Sequence, residues 1–122
     1  MSITELGHKL FYDLKDLKLP VDEVVIYLRP YSKTYYGRYF PTYDMDALPK
    51  IFIYPYENTQ GDLMCYTVIL KTAIHELCHH LQYINPDFVR SKGVMHNTEF
   101  WKLYNFYVNK AVKLNMIGGD DV

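Results

Sequence analysis

The chain is short of several things. It has two cysteines in 122 residues, Cys65 and Cys78, too few for a disulfide framework. Both are expected as reduced thiols, packed as small buried apolar side chains. No apolar run approaches the roughly 18 residues that a membrane span needs. The opening stretch, MSITELGHKLFYDLKDLKLP, has no uninterrupted apolar segment behind a basic one, so a secretory signal is not expected. These absences lead to the expectation of a cytoplasmic protein. Charge of one sign is also missing: 13 Lys+Arg stand against 14 Asp+Glu, a net of −1. That balance gives no strong nucleic-acid signal and no membrane-surface signal. There is no repeat, no low-complexity stretch and no linker. One domain over residues 1–117 is expected, with a disordered tail over 118–122.

What is present is an ordinary globular composition, 49% hydrophobic and 22% charged, enough apolar material for a core without staples. Tyrosine is over-used, with 13 residues, which suits a thin core that needs rings with a polar tip. The order of patterns is helix, three short strands, helix, helix. Ser2-Ile3-Thr4-Glu5 fits a capping box. Ile3, Leu6, Leu10, Leu14 and Leu17 then form one stripe over a helix 3–18, stopped by Pro20. Residues 23–29, 35–40 and 50–54 read as strands, with Gly37 a possible bulge. Their short connections favour a mostly antiparallel meander. A second helix is expected from Asp62 as N-cap to Ile84, ended by Asn85-Pro86. Its apolar side carries Tyr66, Leu70, Ala73, Ile74, Leu77, Leu81 and Ile84. A loop over 85–95 leads to a third helix from Asn97 or Thr98 to Asn115.

Chemistry concentrates in residues 75–80, His-Glu-Leu-Cys-His-His. His75, Glu76 and His79 make an H-E-x-x-H pattern. Residues i and i+4 lie one turn apart, about 6 Å along the axis, so two imidazoles on one face can hold one ion. Both histidines fall opposite the apolar stripe, with Val68, Thr72 and Gln82. Glu76 is turned about 100° away, too far for an equal ligand but placed to take a proton from a metal-bound water. Catalytic zinc sites use three protein ligands. Spacing leaves two candidates for the third, His96 and Glu99, which share a helix face. His80 is turned from the pair and reads as a packing or surface histidine, as does His8 on the first helix. Tyr35, Tyr36, Tyr83 and Tyr104 are each able in principle to donate to an oxyanion; none is singled out. The strand KIFIY is either a cleft strand to which an extended peptide adds or a plain core strand.

Three segments, TAIHELCHHLQ (72–82), KIFIY (50–54) and MHNTEFWKLY (95–104), resemble the SprT-like zinc metallopeptidases of the zincin fold. The likeness covers roughly residues 35–105, and its motifs do most of the discriminating. It implies an α+β zincin-like fold, a small three-stranded sheet packed on three helices with the active-site helix central. It implies a Zn2+ ion held by His75, His79 and His96, since the family's third ligand is the His of H-x-x-x-F, matched here by His96 and Phe100. It implies Glu76 as the catalytic base acting on a protein or peptide substrate. The thermolysin-like gluzincins take a Glu as third ligand, which Glu99 could match, but this chain is far too short for that fold. No C-x-x-C pair and no basic tail accompany the motifs, so the family's role on DNA-crosslinked proteins does not carry over.

The leading expectation is therefore a zinc-dependent endopeptidase. A second reading is a non-catalytic zinc-held interaction module, its site closed by Glu99 or Cys78. A metal-dependent ribonuclease reading is weak, because no histidine lies between His80 and His96. Oligomeric state and substrate specificity are not legible.

Overall fold

The computed structural model describes residues 1–42, 44–85 and 96–118. The elements are α1 (Ile3–Asp16), β1 (Val25–Leu28), β2 (Gly37–Phe40), β3 (Lys50–Ile53), α2 (Tyr66–Ile84) and α3 (Thr98–Lys113). The architecture is α+β. The loop expected before α3 falls, apart from Asn85, outside the described residues, as does the expected tail apart from Gly118.

α1 starts as its sequence requires. The Glu5 amide donates to Ser2 Oγ at 3.1 Å, and the Ser2 amide donates to Glu5 Oε1 at 3.4 Å. This reciprocal pair satisfies two amides that the helix leaves open. Leu6, Leu10, Leu14 and Leu17 are buried, each worth roughly 1.5–3 kcal/mol of transfer free energy. Ile3 is not part of that stripe; it is exposed in the first turn. The helix closes at Leu17 and the chain turns through Lys18 at φ +65.

The sheet corrects the expected meander. Its order is β1-β3-β2, with β1 parallel and β2 antiparallel to β3, so it is mixed and not mostly antiparallel. Apolar content decides the order, not position in the chain. Ile51 and Ile53 are almost fully buried, which places β3 in the centre, while Gly37 and Arg38 put β2 at an edge. The ladder between β2 and β3 is continuous from Gly37 to Phe40, so Gly37 marks no bulge.

α2 begins three residues later than expected, at Tyr66. The Asp62 carboxylate accepts from Asn58 Nδ2 at 2.8 Å, and Leu63 bridges to Tyr56, so this stretch is spent on a turn. Cys65 becomes the N-cap residue and is exposed, which corrects the expectation that both cysteines are buried. Leu70, Ala73, Ile74 and Leu77 face the core with no exposure, but Ile84 is 45% exposed. Glu76, His79 and Gln82, on other sides of α2, are buried as well. The helix is thus covered around most of its circumference, which suits a central position.

α3 packs on α2 through Phe100, Val108 and Ala111, while Leu114 at its end is exposed. Lys110 Nζ donates to the Leu17 carbonyl at 3.0 Å, and Tyr66 Oη donates to Asp13 at 2.6 Å. These two bonds tie α1 to the other helices. One cluster of buried side chains joins α1, β3, α2 and α3.

Candidate metal centre

α2 supplies His75 and His79 one turn apart, and the start of α3 supplies His96. The Asn97 side chain accepts from the Phe100 amide at 3.0 Å, which caps α3 and fixes where the chain enters it. His96 sits one residue before that cap. Its Nε2 lies 2.9 Å from His79 Nε2 and 3.1 Å from His75 Nε2. The donor atoms of all three rings lie within 4.8 Å of one another. His75, His79 and His96 could therefore hold a metal ion. Two bonds of about 2.0–2.1 Å at a tetrahedral angle put nitrogens about 3.3 Å apart, close to the separations seen here.

The donor set fits a cation on chemical grounds. The same nitrogen of His96 faces both other rings, and a single N–H divided between two lone pairs serves neither well. A cation satisfies all three lone pairs at once. His79 Nδ1 is 3.4 Å from Gln82 Oε1, so its proton belongs on Nδ1 and its Nε2 lone pair turns to the cluster. Burial, helped by the neighbouring imidazoles, lowers His75 to about 4. Burial, with a smaller contribution from the neighbouring His96 ring, lowers His79 to about 4, against the Gln82 bond. Both rings are neutral at pH 7, as ligands must be.

Aromatic rings form the wall behind the cluster. Phe100 stacks on His79 at 4.6 Å and meets His75 edge-on at 5.0 Å. Trp101 stacks on His96 at 5.6 Å. Glu99, the other candidate for third ligand, lies outside: it is exposed and pairs with Lys102 at 3.6 Å. Cys78 also lies outside, fully buried in the core, its thiol pushed up to about 12 by burial.

Glu76 follows His75 on α2 and is 6% exposed. Burial pushes its carboxyl up to about 7, with Arg38 opposing. It opens onto a cleft made of two cavities that meet at Tyr35, Gly37, His75 and Glu76. One, of about 470 Å³, extends toward Val68, Lys71 and Tyr104. The other, of about 480 Å³, extends toward Gln82, Tyr83 and Pro41 and includes His79 and His96.

The strand beside this cleft is β2, not β3. The KIFIY strand is paired on both sides, which corrects its reading as the strand to which a peptide adds. The Tyr54 amide donates to the Tyr36 carbonyl at 2.9 Å. Alternation along an antiparallel ladder then turns the amide and carbonyl of Gly37 away from β3, on the edge where the cleft runs. Gly37 is the residue that sequence reasoning undervalued. A Cβ there would sit 2.7 Å from Thr72 Cγ2 and 3.1 Å from Glu76 Cγ. Only glycine lets the strand come this close to the helix turn that carries Glu76. A glycine inside a strand pattern was the available signal, since it marks close approach as often as a bulge.

The remaining candidates have other work. His80 is 2% exposed; its Nδ1 is 2.8 Å from Tyr39 Oη and its Nε2 is 3.2 Å from Glu23 Oε1. It ties β2 and the turn before β1 to α2. His8 is exposed on α1. Tyr83 donates to the Thr42 carbonyl at 3.1 Å, while Tyr35, Tyr36 and Tyr104 line the cleft.

No family model matches this chain, and neither does any curated protein or solved structure.

Proposed function

We propose that this protein is a zinc-dependent endopeptidase, a compact relative of the SprT-like zincins. One observation carries the reading: two imidazoles from α2 and a third from just before the α3 cap converge on one point, and the Glu76 carboxyl opens onto the same cleft beside them. Three imidazoles suit zinc, although other divalent ions accept the same donors. When bound, such an ion polarises a carbonyl and acidifies a water molecule.

The chain's own residues divide the rest of the work. His75, His79 and His96 would hold the ion, with Gln82 orienting His79. Glu76 accepts the proton of the attacking water and returns it to the departing amine, so its buried, partly desolvated carboxyl must cycle between both forms. The free edge of β2 at Gly37 offers a backbone amide and carbonyl to an extended peptide. The cleft extends to both sides of Glu76 along α2, which supports cutting within a chain rather than at its end.

The test is cleavage of an unstructured protein by the zinc-loaded chain, compared with Glu76→Gln. The expected result is loss of turnover by at least about 100-fold, the usual worth of a general base, with zinc retained. Equal turnover by the variant would overturn the mechanism. Retained zinc without turnover by the parent on any substrate would favour an interaction module instead.

A further inference from the structure

Strand parity separates the two faces of the sheet. Ile26, Leu28, Ile51 and Ile53 turn to the core beneath α1 and α2. Tyr27, Arg29, Arg38, Phe40, Lys50 and Phe52 turn the other way. On that outer face Tyr27, Arg29, Arg38 and Lys50 are exposed, and Phe40 and Phe52 are half-buried against their neighbours. The rings form a connected row: Tyr27 meets Phe52 edge-on at 5.6 Å, and Phe52 meets Phe40 at 5.0 Å. The Arg29 guanidinium lies 5.2 Å over Phe52, and that of Arg38 lies 4.8 Å over Phe40.

Charge on this face is segregated. Two strand positions, Arg38 and Lys50, and Arg29 just past the end of β1 carry cations, no strand position on the same side carries a carboxylate, and none of the three cations forms a salt bridge with a described residue. The even charge of the whole chain hides this. An apolar partner would leave the cations desolvated and unpaired, which is costly. An acidic peptide would meet the cations but leave the ring faces without a matched surface. A nucleic acid duplex would offer phosphates only, because its base faces are stacked inside. A single strand offers both phosphates and free π-faces.

We propose that the outer sheet face is a binding platform for single-stranded nucleic acid. Bases stack against Tyr27 and Phe40, and phosphates pair with Arg29, Arg38 and Lys50. Arg38 also lines the cleft beside Glu76, but Tyr27, Arg29, Phe40 and Lys50 do not, so binding needs no metal and stands whether or not the chain cuts peptides.

The experiment is fluorescence anisotropy of a labelled oligothymidylate with the full chain, over a salt series. Three phosphate contacts give a slope of about −2 in log affinity against log salt. The paired change Arg29→Gln and Lys50→Gln is expected to weaken binding by about tenfold or more and to flatten the slope toward roughly −0.7. Tyr27→Leu is expected to weaken binding by about tenfold with the slope unchanged, since a ring carries no charge. These three residues are exposed, so their circular dichroism should match the parent. Absence of binding at low salt would overturn the proposal. So would equal affinity for duplex, equal affinity for polyglutamate (which would assign the face to an acidic protein), or binding that all three substitutions leave intact.

Discussion

His79 and His96 are 17 residues apart in sequence, and their Nε2 atoms are 2.9 Å apart in space. Two ring nitrogens approach like this through a shared proton or a shared cation. The third ring, His75, stands 3.1 Å from the same atom of His96, and one proton divided between both contacts serves neither well. The relationship depends on α3 being capped one residue after His96, which makes the Asn97 cap part of the site's construction.

Removal of the third ring should therefore matter more than removal of the nearby carboxylate. His96→Ala should weaken zinc binding by more than the roughly 10–100-fold that loss of a supporting group costs, whereas Glu99→Ala should leave it unchanged. Trp101 is the chain's single tryptophan and stacks on His96, so its fluorescence during a metal titration reports both results.

Gln82 gives a finer test. It holds His79 Nδ1 at 3.4 Å, and Gln82→Ala should cost roughly 10–100-fold in metal affinity. Unchanged affinity in the same titration would show that His79 needs no such orientation.

At Gly37, Gly37→Ala should destabilise the fold by about 1–3 kcal/mol, the usual cost of forcing a methyl into a packed contact. Thr72 Oγ1 bonds the Val68 carbonyl at 2.8 Å, so its γ-methyl is held in place against the new atom. Adding Thr72→Ser removes that methyl and should recover most of the loss. Urea denaturation of the single and double variants measures this.

His80 sits beside a proposed ligand in sequence but serves the fold. Tyr39→Phe would leave His80 Nδ1 without its 2.8 Å partner in a buried setting and should cost about 1–3 kcal/mol. Zinc stoichiometry should stay that of the parent, which separates His80 from the cluster.

Much of the site was legible because a helix turns position into direction. The spacing of His75 and His79 put both on one face, and Ser2 and Glu5 announced the start of α1. The choice between His96 and Glu99 was not legible from spacing. It depends on how α3 approaches α2, which buried contacts at Phe100 decide. The strand order was misjudged for a similar reason. Short connections favour neighbours in sequence, but the burial of Ile51 and Ile53 pulls β3 between the other two. Asp62 looked like a helix cap because nothing local reveals that Asn58 engages it first. The outer sheet face was hidden by the even total charge, since segregation appears only once strand parity and register are known.

X-ray absorption at the zinc edge of the metal-loaded full chain tests the central claim most directly. The expected result is one zinc per chain with three imidazole nitrogens at about 2.0–2.1 Å and no sulfur neighbour. A sulfur shell at about 2.3 Å, or fewer than three imidazoles, would contradict a centre built from His75, His79 and His96.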